Sequence, residues 1–167
     1  KLGFLNDESY SKALLETKKR TAKKGPRAIK QDLIKKGIDK SLQQEVLKQY
    51  SYEEQLQNAK DLAEKLVRAG DKSTPTQVKQ KIQDLLTRKG YSFDIVSEVL
   101  DQMDITRNDD EWNDLIAKQG DKIWSKYSSK FTGSQLNMKV KQALYQKGFP
   151  VEVINRFIEE KGQEDGE

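Results

Sequence analysis

The chain contains no cysteine and no histidine. Without cysteine there can be no disulfide framework, which fits a reducing compartment. Without thiolate or imidazole a zinc site lacks its usual ligands. Cysteine nucleophiles and histidine acid–base chemistry are excluded with them. Proline is scarce, at three residues. No run of about 18 apolar residues occurs, so no membrane-spanning helix is predicted. No secretory signal is visible. The first residue is Lys1 rather than Met, and the chain reads as a piece of a longer polypeptide.

What is present is charge. Charged residues make up 35% of the 167 positions and apolar residues 34%. That length suits one ordinary domain or a short repeat array. The net charge is +4 and the pI about 9.0. The charge is uneven. Residues 1–50 hold 13 Lys or Arg against 6 Asp or Glu, residues 51–103 hold 8 against 9, and residues 104–167 hold 10 against 12. One end is basic and the rest is nearly balanced. Such asymmetry points to an electropositive face with nucleic acid or an acidic protein as partner. A Lys-rich solvated surface would give the same count.

The most informative feature is an internal repeat. Pro26–Leu47, Lys79–Leu100 and Met138–Ile158 share one pattern around a Lys-Gly pair followed by an apolar residue: Lys36-Gly37-Ile38, Lys89-Gly90-Tyr91 and Lys147-Gly148-Phe149. The glycines are 53 and 58 residues apart, a period that accommodates three helices rather than two. Four residues before each glycine stand Leu33, Leu86 and Leu144, and eight before stand Ile29, Ile82 and Val140. Five residues after stand Leu42, Ile95 and Val153. Nine and ten after stand Val46-Leu47, Val99-Leu100 and Phe157-Ile158. Spacings of four place each set on one helix face. The glycine fits a helix C-cap, its lysine suits the negative end of the helix dipole, and the residue after it can pack back on the helix.

A further helix is predicted before each pair. The first spans about 7–23, with Asn6 as its cap and Tyr10, Leu14 and Leu15 facing inward. The second spans about 52–69, with a Ser51/Glu54 capping box and a stripe of Leu56, Ala59, Ala63 and Leu66. The third spans about 110–130, with Leu115, Ile116, Ile123, Trp124 and Tyr127. Pro26 and Pro75 fit first-turn positions, and Thr74 with Gln77 repeats the capping-box spacing. The expected fold is all-α: tandem three-helix repeats over 1–50, 51–103 and 104–161, stacked into an elongated array, curved or straight, because one short unit needs neighbours to complete its core. Linkers fall near 48–52 and 101–109, and residues 162–167 read as a frayed tail.

The candidate binding residues are basic and lie in the first repeat: Lys18, Lys19, Arg20, Lys23, Lys24, Arg27, Lys30, Lys35 and Lys36. Their chemistry would be phosphate contact, nonspecific and salt-sensitive. Tyr91, Trp124, Phe149 and Phe157 read as core, whereas Tyr145, next to core Leu144, reads as more exposed. The acidic run Asn108–Glu111 with Asp104 and Asp114 superficially resembles a metal cluster, but a helix start accounts for it: Asn108 or Asp109 caps, and the acids favour the positive end. Calcium-loop, Walker A and GxGxxG spacings are absent. No catalytic residue, metal or cofactor is expected, and the chain does not read as an enzyme.

The segments Gly3–Tyr10 (GFLNDESY), Gly25–Ile38 (GPRAIKQDLIKKGI) and Arg88–Val96 (RKGYSFDIV) resemble the RecX family, regulators of the bacterial RecA recombinase. The resemblance covers nearly the whole chain, the third repeat being the most divergent. It implies a cytoplasmic protein of DNA repair, recombination and the SOS response. Such a protein binds RecA and its filament on single-stranded DNA and inhibits RecA's ATPase, strand-exchange and coprotease activities. It also implies weak, nonspecific DNA binding. A further repeat, or a longer region, is expected upstream of the GFLNDESY segment. The chain is expected to be a monomer. The alternative from charge alone is a nonspecific DNA-binding helical repeat protein with no action on the recombinase.

Overall fold

Each Lys-Gly pair ends a helix. Gly37, Gly90 and Gly148 have φ of 75°, 96° and 98°, the left-handed region in which a Cβ is strained. The next amide then turns back: Ile38 N–H donates to Leu33 O at 3.1 Å, Tyr91 N–H to Leu86 O at 3.1 Å and Phe149 N–H to Leu144 O at 3.2 Å. This six-residue closure satisfies carbonyls that the helix itself leaves open. The following helix starts at once. Asp39 and Ser92, two residues past their glycines, accept from the amides of Leu42 and Ile95, and Pro150 holds the same place before the third.

The computed structural model describes residues 2–68 and 72–165. Among them are nine α-helices and no strand: α1 (Leu2–Arg20), α2 (Pro26–Lys35), α3 (Lys40–Leu47), α4 (Tyr52–Arg68), α5 (Pro75–Arg88), α6 (Phe93–Gln102), α7 (Asp109–Ser128), α8 (Gly133–Gln146) and α9 (Val151–Asp165). They form three tandem three-helix sets. The chain divides into two compact units, Lys1–Asp71 with Gln80–Asp104, and Lys72–Lys79 with Ile105–Glu167.

In the first unit α1, α2 and α3 enclose Leu15, Ile29, Leu33, Ile38, Leu42, Val46 and Tyr50. Complete burial of a side chain such as Leu33 stabilises by about 1.5–3 kcal/mol. Ala59 and Ala63, four apart and fully enclosed, give α4 a smooth face, and α6 packs against α4. Ile82, Leu86, Ile95 and Val99 are likewise without exposure. In the second unit α7, α8 and α9 enclose Leu115, Ile123, Trp124, Val140, Leu144 and Ile154. Trp124 meets Phe157 edge-on at 6.4 Å, with Gly120 beneath the Phe157 ring.

Repeats are joined by one recurring contact, in which the first connection of a repeat sits on the glycine turn of the next. In the first unit, Gly25 N–H donates to Lys89 O at 2.7 Å and Arg27 N–H to Gly90 O at 3.1 Å. Open amides at the start of α2 thereby meet open carbonyls at the end of α5, with helix dipoles of complementary sign. The Lys89 ammonium donates to Ala22 O at 3.2 Å. The Tyr91 hydroxyl donates to Lys23 O at 2.5 Å and the Tyr50 hydroxyl to Lys24 O at 2.9 Å, and the two hydroxyls lie 3.3 Å apart. Asn58 donates to both Tyr50 Oη and Lys19 O. A Cβ built at Gly25 would lie 2.5 Å from Gly90 C, and one built at Gly90 would lie 2.7 Å from Ala28 Cβ and overlap the Ala28 nitrogen. In the second unit the Thr74 hydroxyl donates to Lys147 O, and a Cβ at Gly148 would lie 2.6 Å from Thr76 Cβ.

Both predicted capping boxes form, at Ser51/Glu54 and Thr74/Gln77. Of Asn108 and Asp109 it is Asn108 that caps α7, in a third box with Glu111. Three expectations need correction. Asn6 lies inside α1 rather than capping it, and α1 ends at Arg20, before Lys23. A cap preference of about 1 kcal/mol does not stop a helix that has no other reason to end. Tyr10 is 42% exposed, because the inward face of α1 runs through Ser11, Leu15 and Lys19, four apart. The expected tail is helical through Asp165, where Lys161 pairs with Glu164 and Asp121; residues 166–167 and Ala69 lie outside the described residues.

Two outcomes follow for the glycine turns and one for the joint. Gly90→Asn should destabilise the first unit by more than the roughly 1–3 kcal/mol typical of overpacking, since backbone rather than a flexible side chain must yield. Gly37→Asn, with nothing within 4 Å, should cost less than about 1 kcal/mol, because Asn tolerates positive φ. Tyr91→Phe should cost about 1–2 kcal/mol, since removing the buried hydroxyl takes its donor from the Lys23 carbonyl. Urea unfolding followed by circular dichroism reads all three.

Candidate nucleic-acid and filament interface

The nine basic candidates separate by what their ammonium or guanidinium groups touch. Lys19 is buried at 8% exposure, on the inward face of α1. Its Nζ lies 2.8 Å from Glu54 and 3.0 Å from Glu16, and 5.4 Å over the Tyr50 ring. Burial works to lower its pKa, but the hydrogen bonds to Glu54 and Glu16 outweigh it and the net direction is upward. Lys23 pairs with Asp61 at 3.2 Å and Lys24 with Asp32 at 3.0 Å. Lys23 also has φ of 50°, a left-handed backbone held in place by the Tyr91 hydroxyl on its carbonyl. Lys19, Lys23 and Lys24 thus hold the connection and the junction with α4.

The others face solvent. Arg20 is exposed and only grazes Glu16 at 4.0 Å. Lys18 is half-buried. Arg27, Lys30, Lys35 and Lys36 are exposed. Arg27, Lys30 and Ile34 follow i, i+3, i+7 along α2, opposite buried Ile29 and Leu33, so they form its outer face. The sole carboxylate on α2, Asp32, is occupied by Lys24. The outer face of α2 is therefore positive, the one acid of its helix being paired with Lys24. The matching face of α5 carries Gln80, Gln83, Asp84, Thr87 and Arg88. On α8 the same places hold Met138 and Tyr145, 69% and 64% exposed, with Lys141.

Sequence reasoning missed the partners of Lys19, Lys23 and Lys24: Glu54 and Asp61 lie 35 and 38 residues away, and Asp32 lies eight residues away across the turn into α2. A weak signal was available: Lys19 follows Ser11 and Leu15 at the inward spacing. The acidic run near Asn108 is a helix start, as read. No group of three or more His, Cys, Asp or Glu among the described residues is placed to hold a metal ion, and no described helix is long and apolar enough to cross a membrane. A cavity of about 370 Å³ between α7 and α9 is lined by Ile116, Val153 and Phe157, with the Lys161–Asp121 pair at its rim.

The ion pairs give the first unit an acid limb. Lys19's hydrogen bond is the main cause that holds the Glu54 carboxyl below its usual 4.5. Burial pushes Asp61 up, but bonds from Gln57 and Lys23 take it below its usual 3.8. Both folded-state values are depressed, so the stabilisation is present above the unfolded values and is lost as pH falls through the folded ones. Glu54→Gln and Asp61→Asn should lower stability at neutral pH and flatten its decline below pH 4.5, read from melting temperatures across that window.

Comparison with known proteins matches this arrangement repeat by repeat. The family model for the second three-helix domain of RecX matches residues 6–47, and that for the third matches twice, at 53–100 and 109–158. The chain is similar to the regulatory protein RecX of Bacillus licheniformis, 36% identical over 95% of this chain and 60% of that protein. It is 36% identical to that of Halalkalibacterium halodurans over 93% of this chain and 58% of that protein. It thus spans about 60% of the length of the curated relatives it matches. Among solved structures, RecX from Lactobacillus salivarius superposes with a TM-score of 0.55 at 33% identity, over 58% of this chain and 65% of that one. A second regulatory protein RecX gives a TM-score of 0.58 over 92% of this chain and 72% of that one. At 15% identity it speaks to the fold alone. With all three repeats matched in register, the chain belongs to the RecX family of regulatory proteins.

Proposed function

We propose that this chain binds the RecA recombinase and its nucleoprotein filament on single-stranded DNA, and that it restrains RecA's ATPase, strand-exchange and coprotease activities. The observation that carries this reading is the family match across all three repeats. The chain acts as a regulator in the cytoplasm and hydrolyses nothing itself; ATP turnover belongs to the recombinase. Tandem repeats suit a helical polymer, because linked weak contacts raise one another's effective concentration. The outer face of α2 supplies the electrostatic part. Arg27, Lys30 and Lys35 meet phosphate or acidic side chains, with Arg20 and Lys18 adjacent in the sequence of α1. Lys19, Lys23 and Lys24 serve the fold.

The test is fluorescence anisotropy of labelled single-stranded DNA carrying a preassembled cognate RecA filament, with the chain titrated in and bare DNA in parallel. Loss of filament at concentrations too low to bind bare DNA is expected. Equal binding to bare DNA with an intact filament would instead establish a plain DNA binder. On bare DNA, Arg27→Ala with Lys30→Ala should reduce the dependence of log K on log salt by about 1 for each phosphate no longer neutralised. Lys24→Ala should leave that slope unchanged and lower the melting temperature.

A further inference from the structure

We infer that the turn Lys36-Gly37-Ile38 is the receiving half of another joint, and that its occupant is the proline-led first connection of a preceding three-helix repeat. The same turn occurs three times, and two copies are occupied. Gly90 is buried beneath Gly25 and Ala28, and Gly148 is half-buried beneath Thr74 and Thr76. Gly37 has the same left-handed backbone, but it is exposed and nothing lies within 4 Å of a Cβ built there. Lys89 O, Gly90 O and Lys147 O each accept a bond from the docked connection. The carbonyls of Lys36 and Gly37 stand in the same register.

Direction and occupant follow from the two filled joints. In both, the earlier repeat supplies the connection and the later one the turn, so the turn of α2 and α3 receives a repeat that comes before it. In both, the connection enters its helix through proline, Gly25-Pro26 and Thr74-Pro75. Proline at the first helical position restrains the residue before it to extended backbone; in the first joint the Gly25 and Arg27 amides then reach the turn, and in the second the Thr74 hydroxyl does. The connection of α7 and α8 is built differently, with Gly133 in that position at φ 58°, so a second copy of this chain offers no matching insert. The matched relatives are longer than this chain, and residues 6–47 match a second three-helix domain. Lys36 then has the role of Lys89, whose ammonium donates to a carbonyl where the preceding first helix ends. It is a positioning residue for the array rather than a phosphate contact.

The test is lysine acetylation with an N-hydroxysuccinimide ester, read by mass spectrometry. It compares this chain with the same chain extended upstream through a preceding three-helix repeat. In this chain Lys36 should react as fast as Lys35. In the extended chain Lys36 should slow to the rate of Lys89, while Lys30 and Lys35 keep theirs. Gly37→Asn should return Lys36 to the fast rate in the extended chain and leave helicity unchanged in the shorter one. An unchanged Lys36 rate on extension would overturn the assignment. Protection of Lys36 in the shorter chain that grows with concentration would overturn it too, by showing a second copy in the turn.

Discussion

Gly25 and Gly90 approach so closely that neither position has room for a side chain. That approach lets the first amides of α2 reach the last carbonyls of α5, and the connection between α1 and α2 is shaped around it. The left-handed backbone of Lys23, the tyrosine hydroxyls on the Lys23 and Lys24 carbonyls, and the ammonium of Lys89 on Ala22 all secure the same short segment. A surface loop would otherwise leave these polar groups to water. Here they are paired within the protein, and in that form they tie a repeat to its neighbour. The second unit meets the same constraint with other residues, Thr74 and Thr76 against Gly148.

The constraint also sorts the charges. A repeat rich in lysine has some lysines whose role is internal. Lys19, Lys23 and Lys24 neutralise Glu54, Asp61 and Asp32 across elements that must pack closely. Because these carboxylates are consumed, the outward Arg27, Lys30 and Lys35 of α2 keep an uncompensated field. The electropositive face is thus partly a by-product of how the junction is stapled. Exposed pairs of this kind contribute little to stability one by one. Lys19 is the exception, since it is buried and an unpaired charge there would be costly.

Much of the fold was legible because its punctuation is local. The Lys-Gly turns, the leucine four residues before each glycine, and the capping boxes at Ser51/Glu54 and Thr74/Gln77 rest on residues within a turn of one another. The errors came where a local preference met a larger element: Asn6 was absorbed into α1, Tyr10 fell on its outer face, and Lys161 carried α9 through a polar tail. The joint itself was not legible. Each bond between connection and turn ends on a backbone carbonyl some 63–73 residues from its donor, and a carbonyl carries no side-chain pattern. For the candidate interface, residue type was readable, but the pairing that separates internal from available lysines was not. Arg27 and Lys24 look alike in sequence and differ only in whether a carboxylate such as Asp32 stands within reach.

A joint that recognises carbonyls can be met by different donors, amides and an ammonium in one case and a hydroxyl in the other, provided the residues are small where the backbones meet. Gly25-Pro26 and Thr74-Pro75 dock on equivalent turns despite sharing only the proline. A duplicated repeat would therefore arrive already fitted to its neighbour, with no compensating substitutions to wait for. Length is then an easily altered character in such a protein. Each repeat's outer face can meanwhile differ in chemistry, basic on α2 with Arg27 and Lys30, and carrying exposed Met138 and Tyr145 on α8.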